Sequence, residues 1–165
     1  KKLRTTFSTK TEPSQPPLLQ ARQEVLSSPL FQLPILGRVA AGQPLERFLS
    51  DEFLEVPPSL VRHPEVTFVL KVEGDSMIED GIHDGDMILV EKKNTAKNGD
   101  IIVASVDNES TVKRYFFRKN GITKNSEDSP SVELKPANSQ MKSLWYAPEQ
   151  VAIQGLVVGL IRQFI

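Results

Sequence analysis

From Leu30 onward, the chain is a series of short segments rich in β-branched and aromatic residues, and this pattern restricts the fold more than any other feature. The segments are separated by residue pairs that favour tight turns: Asp-Gly at 84–85, Asn-Gly at 98–99 and 120–121, and Asp-Asn at 107–108. Turns this close together leave room for strands but not for long helices. The sequence therefore predicts a mostly β fold of short antiparallel strands with small helical turns.

The β-rich segments predict seven strands, at residues 35–39, 67–73, 87–91, 100–106, 110–117, 131–135 and 151–163. Asp107 and Asn108 are expected to form a hairpin loop between the fourth and fifth of these strands. Only residues 58–62 and 76–80 have the pattern of helical turns. The apolar run at 156–161 is consistent with a strand buried on both faces, whether in the core or in an interface.

The first 29 residues differ from the rest of the chain. They are rich in Pro, Ser, Thr and Gln and carry five basic and two acidic residues. This composition predicts a linker or arm, disordered or partly helical, before a domain at residues 30–165. Because the chain begins with Lys1 rather than methionine, we expect it to be a fragment or a processed product of a longer protein.

Composition excludes several classes of function. The chain has no cysteine, so disulfides, thiol catalysis and thiolate metal sites are excluded. Its two histidines, His63 and His83, lack the spacing of a metal site, and we expect structural or surface roles for them, with no metal and no cofactor. A net charge of −1 gives no overall basic excess for nucleic-acid binding. The sequence has no membrane-spanning run and no signal-peptide pattern, which predicts a cytoplasmic protein.

Ser76 lies where a predicted strand runs into a turn. Gly74 allows the backbone to bend sharply, and the free N–H groups of such a turn can face an anionic reaction intermediate. This is a suitable position for a nucleophile. The segment taken alone equally fits a serine that caps the turn.

A nucleophilic serine needs a base, and Lys113 is the candidate. An exposed lysine is protonated at neutral pH, but burial in an apolar pocket lowers its pKa. Most lysines of the chain lie in polar turns and loops, whereas Lys113 lies in the middle of the strand predicted at 110–117. Thr111 shares its strand face and could hydrogen-bond the amine. A solvent-facing strand lysine is the competing interpretation, and the residues alone leave both open.

The chain resembles the self-cleaving domain of LexA-type repressors, a group that also includes UmuD and phage repressors. The resemblance covers about residues 33–165 and rests on four blocks. These are Gly-Arg-Val-Ala-Ala-Gly at 37–42, Gly-Asp-Ser-Met at 74–77 with Gly-Ile at 81–82 and Asp-Gly-Asp at 84–86, Thr-Val-Lys-Arg at 111–114, and Gly-Leu-Val-Val-Gly-Leu-Ile-Arg at 155–162.

This resemblance implies a serine–lysine endopeptidase that cuts its own chain. Ser76 would attack the carbonyl of Ala41, with Lys113 as general base and Gly42 as the leaving residue. The backbone around Asp75 would hold the oxyanion and Thr111 would support Lys113. Residues 30–165 would then be the self-cleaving and dimerisation domain.

Partners and regulation also follow from the resemblance. It implies a homodimer to which the last strand contributes, and a RecA filament on single-stranded DNA as co-protease. The function implied is repression of the SOS response to DNA damage, ended by self-cleavage. Operator DNA would bind an N-terminal helix-turn-helix domain that residues 1–29 are too short to contain.

Two alternatives stay open from the sequence. One is a UmuD-like accessory subunit of a translesion polymerase, activated by the same self-cleavage. Residues 74–78 and the stretch 63–68 favour it, whereas residues 37–42 favour a LexA-type repressor. The other is a dimerisation module whose peptidase is dormant.

Overall fold

The computed structural model describes residues 29–36, 51–119 and 129–164, and this part of the chain is mostly β. It contains the strands β1 (Phe31–Pro34), β2 (Phe53–Val56), β3 (Thr67–Lys71), β4 (Met87–Lys92), β5 (Ile101–Val106), β6 (Glu109–Arg118), β7 (Ser131–Lys135), β8 (Leu144–Tyr146) and β9 (Ala152–Ile161). Its helical pieces are single 3₁₀ turns at Pro58–Leu60, Pro64–Val66, Ile78–Asp80 and Pro148–Gln150. The predicted fold class is confirmed.

The strands form two antiparallel sheets. β1 and β2 pair with each other, and the other seven strands lie in the order β3-β4-β9-β5-β6-β7-β8. β9 therefore lies between β4 and β5, and it pairs with both of them along its length. The strands that flank the two candidate catalytic residues belong to this larger sheet, with β3 and β4 on one side of β9 and β5 to β8 on the other.

Six of the seven predicted strands are confirmed within a few residues, as β3, β4, β5, β6, β7 and β9. The strand predicted at 35–39 is wrong in its position, because β1 ends at Pro34 and Ile35 makes only an isolated bridge to Val69. Residues 37–39 of that prediction lie outside the described residues. β2 and β8 were not predicted. Each has only three or four residues, too few for a recognisable strand pattern, and each becomes a strand through pairing with its neighbour.

The hairpin between β5 and β6 forms at the predicted place. Asp107 and Asn108 both have positive φ angles, 49° and 64°. That conformation belongs to a type I′ turn, whose twist matches the twist of the flanking strands. The tight turn fixes the register in which β6 pairs with β5, and so fixes the position of Lys113 opposite Ile102.

The exposure of β9 contradicts the core interpretation of the apolar run at 156–161, whereas the interface interpretation concerns a second chain. Val158 and Leu160 alternate along this strand and are 46% and 39% exposed. The run at 156–161 is therefore not buried on both faces within the described part of the chain. Among the described residues, none forms a helix long and apolar enough to cross a membrane.

The core next to Ser76 contains residues from strands on both sides of β9 in the sheet order. Met77, the residue after Ser76, is 2% exposed and packs with Phe68, Val72 and Val103. Burying a methionine side chain in this way contributes about 1.5–3 kcal/mol. Met77 therefore anchors the segment that carries Ser76 to the sheet.

Gly155 and Gly159 on β9 provide a matched test of how closely the sheet is packed. A Cβ atom at Gly155 would lie 2.6 Å from the backbone oxygen of Glu91, which cannot move without displacing β4. A Cβ atom at Gly159 would lie 3.0 Å from the end of the Leu89 side chain, which can rotate away. We expect Gly155→Ala to lower the free energy of unfolding by about 2–3 kcal/mol, and Gly159→Ala by less than about 1 kcal/mol.

Urea unfolding of both variants on a Ser76→Ala background, which prevents self-cleavage, measures the difference. Equal losses in the two variants would contradict this account of the β4–β9 contact.

Candidate active site

Ser76 lies in a turn that is closed by hydrogen bonds on either side of it. The Val72 N–H donates to Asp86 O at 2.8 Å, and the Gly85 N–H donates back to Val72 O at 2.9 Å. Gly74 has a φ angle of 84°, a region that favours glycine, and its N–H donates to Asp84 Oδ1 at 2.8 Å. These bonds bend the chain after β3 and fix where residue 76 leaves the turn.

Ser76 does not cap a helical turn. The 3₁₀ turn begins at Ile78, its N-cap position is Met77, and no side chain caps it. The predicted helical turn at 76–80 is therefore two residues too long at its start, and the capping interpretation of Ser76 is wrong. The Ser76 hydroxyl instead contacts the amine of Lys113.

Lys113 lies in the middle of β6 and is only 8% exposed. Its Nζ atom lies 2.8 Å from Ser76 Oγ, 2.8 Å from Thr111 Oγ1 and 3.0 Å from Val112 O. The competing interpretation of Lys113 as a solvent-facing lysine is therefore wrong. Thr111, predicted to share its strand face, contacts the amine directly.

The three oxygen contacts of Lys113 fit a protonated amine that donates to all three, and they also fit a neutral amine. A protonated amine has three N–H donors, whereas a neutral amine has two donors and one lone pair. Thr111 Oγ1 and Val112 O can accept the two donors, which leaves the lone pair for the hydroxyl proton of Ser76. In that protonation state Lys113 is positioned to remove the proton of Ser76.

Burial lowers the pKa of Lys113 below the ordinary value for lysine, because the charged amine loses its hydration. Among the described residues this amine forms no ion pair with a carboxylate, although Glu73 lines the same cavities. The arginines nearby have partners of their own. Arg114, the next residue, binds both carboxylate oxygens of Asp80 at 2.8 and 2.9 Å.

Ser76 and Lys113 line two cavities. The smaller, of about 130 Å³, is also lined by apolar residues of β3, β4 and β5 and by Glu73. The wider, open cavity has a volume of about 560 Å³ and includes Pro136, Met141 and Leu144 in its lining. Both residues are therefore accessible from a cleft that could hold an extended peptide.

Two further residues tie the Ser76 segment to the rest of the fold, and the sequence analysis did not assign them a role. Arg114 links β6 to the 3₁₀ turn through Asp80, and it also donates to Gly99 O at 2.6 Å. Asn138 Nδ2 donates to Asp75 O at 2.9 Å, across 63 positions of sequence. Arg114 belongs to a recognised sequence block, but no local pattern links Asn138 to Asp75.

The other predicted site residues have mixed outcomes. Asp75 borders the wide cavity, whereas Ala41 and Gly42 lie outside the described residues. Neither histidine lines either cavity: His63 Nδ1 lies 3.1 Å from Glu91 Oε2, and the His83 N–H donates to Asp86 Oδ2. Among the described residues, no cluster of three or more His, Asp or Glu residues could hold a metal ion.

Comparison with known proteins places the chain in a family. The sequence profile of the family described as "Peptidase S24-like" matches residues 34–158. The chain belongs to this family. The LexA repressor of Syntrophotalea carbinolica is 45% identical over 135 residues, which are 81% of this chain and 61% of that protein. The LexA repressor of Thermotoga petrophila is 40% identical over 134 residues, 80% of this chain and 62% of that protein.

A third relative matches over a slightly longer part of the chain. The LexA repressor of Rhodospirillum rubrum is 42% identical over 142 residues, 86% of this chain and 53% of that protein. The predicted resemblance to LexA-type repressors is confirmed. The chain spans less than two thirds of the length of each of these relatives, and the part it shares with the S24-like family contains both Ser76 and Lys113.

The lowered pKa of Lys113 predicts how stability depends on pH. Between the folded and the unfolded pKa of Lys113, the unfolded chain binds more protons, so the folded state gains stability as pH rises. The cost of burying this amine is complete below its folded pKa and disappears above about pH 10.4, the value for an unfolded lysine. We expect Ser76→Ala to gain stability relative to Ser76→Ala/Lys113→Met between pH 7 and pH 10.5.

Urea unfolding of the two variants at several pH values measures this difference, and every other titrating group is common to both. Each unit by which the folded pKa lies below the unfolded pKa contributes about 1.4 kcal/mol to the change. Stability curves that stay parallel across this range would show that Lys113 titrates as an exposed lysine does.

Proposed function

We propose that this chain is the self-cleaving part of a LexA-type repressor of the SOS response, and that it hydrolyses its own Ala41–Gly42 bond. Ser76 is the nucleophile and Lys113 is the general base. The observation that carries the proposal is the 2.8 Å contact between Lys113 Nζ and Ser76 Oγ, made by a lysine that is only 8% exposed. Membership of the S24-like peptidase family and the names of the relatives support it.

The first half of the reaction forms an acyl-enzyme. Neutral Lys113 takes the proton of the Ser76 hydroxyl while Oγ attacks the carbonyl carbon of Ala41. The carbonyl oxygen becomes an oxyanion, which backbone N–H groups at Asp75 and Ser76 stabilise. The intermediate collapses when the Ala41–Gly42 bond breaks, and the proton on Lys113 passes to the leaving amine of Gly42.

The second half of the reaction releases the enzyme. A water molecule gives its proton to Lys113 and attacks the ester between Ser76 and Ala41. Collapse of the second intermediate returns the proton to Ser76 Oγ and frees the new carboxylate of Ala41. Thr111 takes no proton in either half, and its contact holds the Lys113 amine in line with Ser76.

Regulation follows from the need to present the cleavage site to this cleft. The segment that contains Ala41 and Gly42 must move from a resting position to one docked over the two catalytic residues. A docked segment also covers Lys113 and favours its neutral form. A RecA filament on single-stranded DNA promotes cleavage by binding the docked state preferentially, since a ligand can shift an equilibrium only through such a difference.

The proposed repressor is a cytoplasmic homodimer. β9 would contribute to the dimer contact. Two apolar side chains that alternate along this strand are exposed, Val158 and Leu160, which supports this role. Operator DNA is bound by a helix-turn-helix domain outside this chain. The relatives' names support this proposal over the UmuD-like alternative.

Incubation at about pH 10 tests the cleavage, because alkaline pH favours neutral Lys113 without RecA. We expect two fragments whose masses correspond to residues 1–41 and 42–165. Ser76→Ala and Lys113→Ala should stay intact while they keep the unfolding transition of a folded domain. The cleavage rate should rise with pH and reach a plateau above the pKa of Lys113.

Fragment masses from a cut at any other bond would reject Ala41–Gly42 as the site. A chain that stays uncut at pH 10, and also with RecA, nucleotide and single-stranded DNA, would support the dormant alternative.

Gly42 tests how the cleavage segment enters the cleft. Gly42→Leu adds a bulky side chain on the leaving side of the bond, and we expect it to reduce the cleavage rate at pH 10 at least about 100-fold through misplacement of that bond. Gly42→Ala is the matched control and should retain more of the activity. Normal cleavage of Gly42→Leu would contradict docking in a narrow cleft.

A further inference from the structure

Asn138 is a buried polar residue that the proposed reaction does not use. It is 8% exposed and follows β7 in the chain, far in sequence from Ser76. Its Nδ2 donates to Asp75 O at 2.9 Å. Asn138 therefore contacts the backbone of the residue that precedes Ser76, although 63 positions separate Asn138 from Asp75 in the sequence.

The hydrogen bonds around Asn138 fix the orientation of its amide group. Oδ1 accepts the N–H of Gln140 at 2.9 Å, so Nδ2 is the atom that faces Asp75 O. The reverse orientation would place two donors against each other at one end and two oxygens at the other. The hydrogen bond from Gln140 therefore fixes Nδ2 as the atom of Asn138 that donates to Asp75 O.

The residues on either side of Asn138 hold the same segment. Ala137 O accepts the N–H of Glu79 at 2.8 Å, and the Ser139 N–H donates to Glu79 Oε1 at 2.6 Å. Three successive residues, 137–139, therefore bind both ends of the stretch 75–79. This stretch cannot rotate as a unit without breaking all three contacts.

The contact at Asp75 O also sets the direction of a neighbouring donor. In a trans peptide unit the C=O and the following N–H point in opposite directions, and the described residues contain no cis peptide bond. Holding Asp75 O towards Asn138 directs the Ser76 N–H away from Asn138. No acceptor among the described residues is hydrogen-bonded to this N–H, which leaves it available to a ligand in the cleft.

We propose that Asn138 is a positioning residue for the oxyanion site: it holds the Asp75–Ser76 peptide so that the Ser76 N–H faces the developing negative charge. This inference rests on the proposed function, because it concerns the same reaction. Asn138 touches neither the substrate nor the reacting atoms and acts through one peptide plane. A donor held in place before the reaction stabilises an oxyanion without the cost of reorganisation.

Asn138→Asp is the most informative variant. It keeps an oxygen that can accept the Gln140 N–H, but it replaces the donor to Asp75 O by a second oxygen. We expect the plateau rate of self-cleavage to fall about 10- to 100-fold, while the midpoint of the pH–rate profile stays that of wild type. An unchanged midpoint shows that the surroundings of Lys113 are intact.

Asn98→Asp is the matched control. Asn98 is exposed and its Nδ2 donates to Phe117 O at 3.2 Å, so the same substitution removes an amide–carbonyl contact at a less buried position without touching residues 74–80. We expect this variant to cleave within about twofold of wild type. Urea unfolding of both variants, on a Ser76→Ala background, gives the folded fraction at each pH, and rates are compared per folded molecule.

Acylation of Ser76 by p-nitrophenyl acetate separates this inference from the proposed substrate. The ester also forms an oxyanion on Ser76, and Ser76→Ala gives the background. If wild type is acylated but does not cut itself, the Ala41–Gly42 proposal fails, while a 10- to 100-fold slower acylation of Asn138→Asp still supports the role of Asn138.

Several results would overturn the role of Asn138. These are wild-type rates in Asn138→Asp, a loss explained entirely by its unfolded fraction, an equal loss in Asn98→Asp, or a shifted pH midpoint with an unchanged plateau. A wild-type chain that is neither cut nor acylated would overturn both proposals.

Discussion

The site depends on burying one amine without giving it an opposite charge. Lys113 is almost fully buried, yet its contacts are two hydroxyls and a backbone carbonyl. A carboxylate in the same position would stabilise the protonated amine and raise its pKa, and the lone pair that faces Ser76 would be lost. The contacts around the site keep the partners of this amine in place.

Two ion pairs support the segments around the site. Arg114 is neutralised by Asp80, and Arg162 binds both oxygens of Asp86 at 2.6 Å. The Arg162 guanidinium holds the pKa of Asp86 below its usual range, so this carboxylate stays ionised and paired. These pairs also tie β6 and the end of β9 to the turns that follow Ser76, so electrostatic neutrality and mechanical support come from the same contacts.

Strand periodicity and turn chemistry were sufficient to predict most of the large sheet. The pair Asp107-Asn108 located the hairpin, and the β-branched runs located β3 to β7 and β9. Ser76 and Lys113 could be named as partners only through the family resemblance, because each alone fitted a more ordinary role. The contact between Asn138 and Asp75 could not be predicted, since it joins two loops whose approach depends on the finished sheet.

The order of strands has a consequence for when Ser76 and Lys113 can come together during folding. Within the sheet, β3 and β4 are joined to β5 through β9 alone, and β9 is the last described strand in the chain. Ser76 lies on the β3–β4 side and Lys113 lies on β6. A ribosome-bound chain that still lacks β9 has no hydrogen-bonded strand between these two parts, and pairings this distant in sequence form late in folding. The strand that joins the Ser76 side of the sheet to the Lys113 side is therefore made after both of these residues.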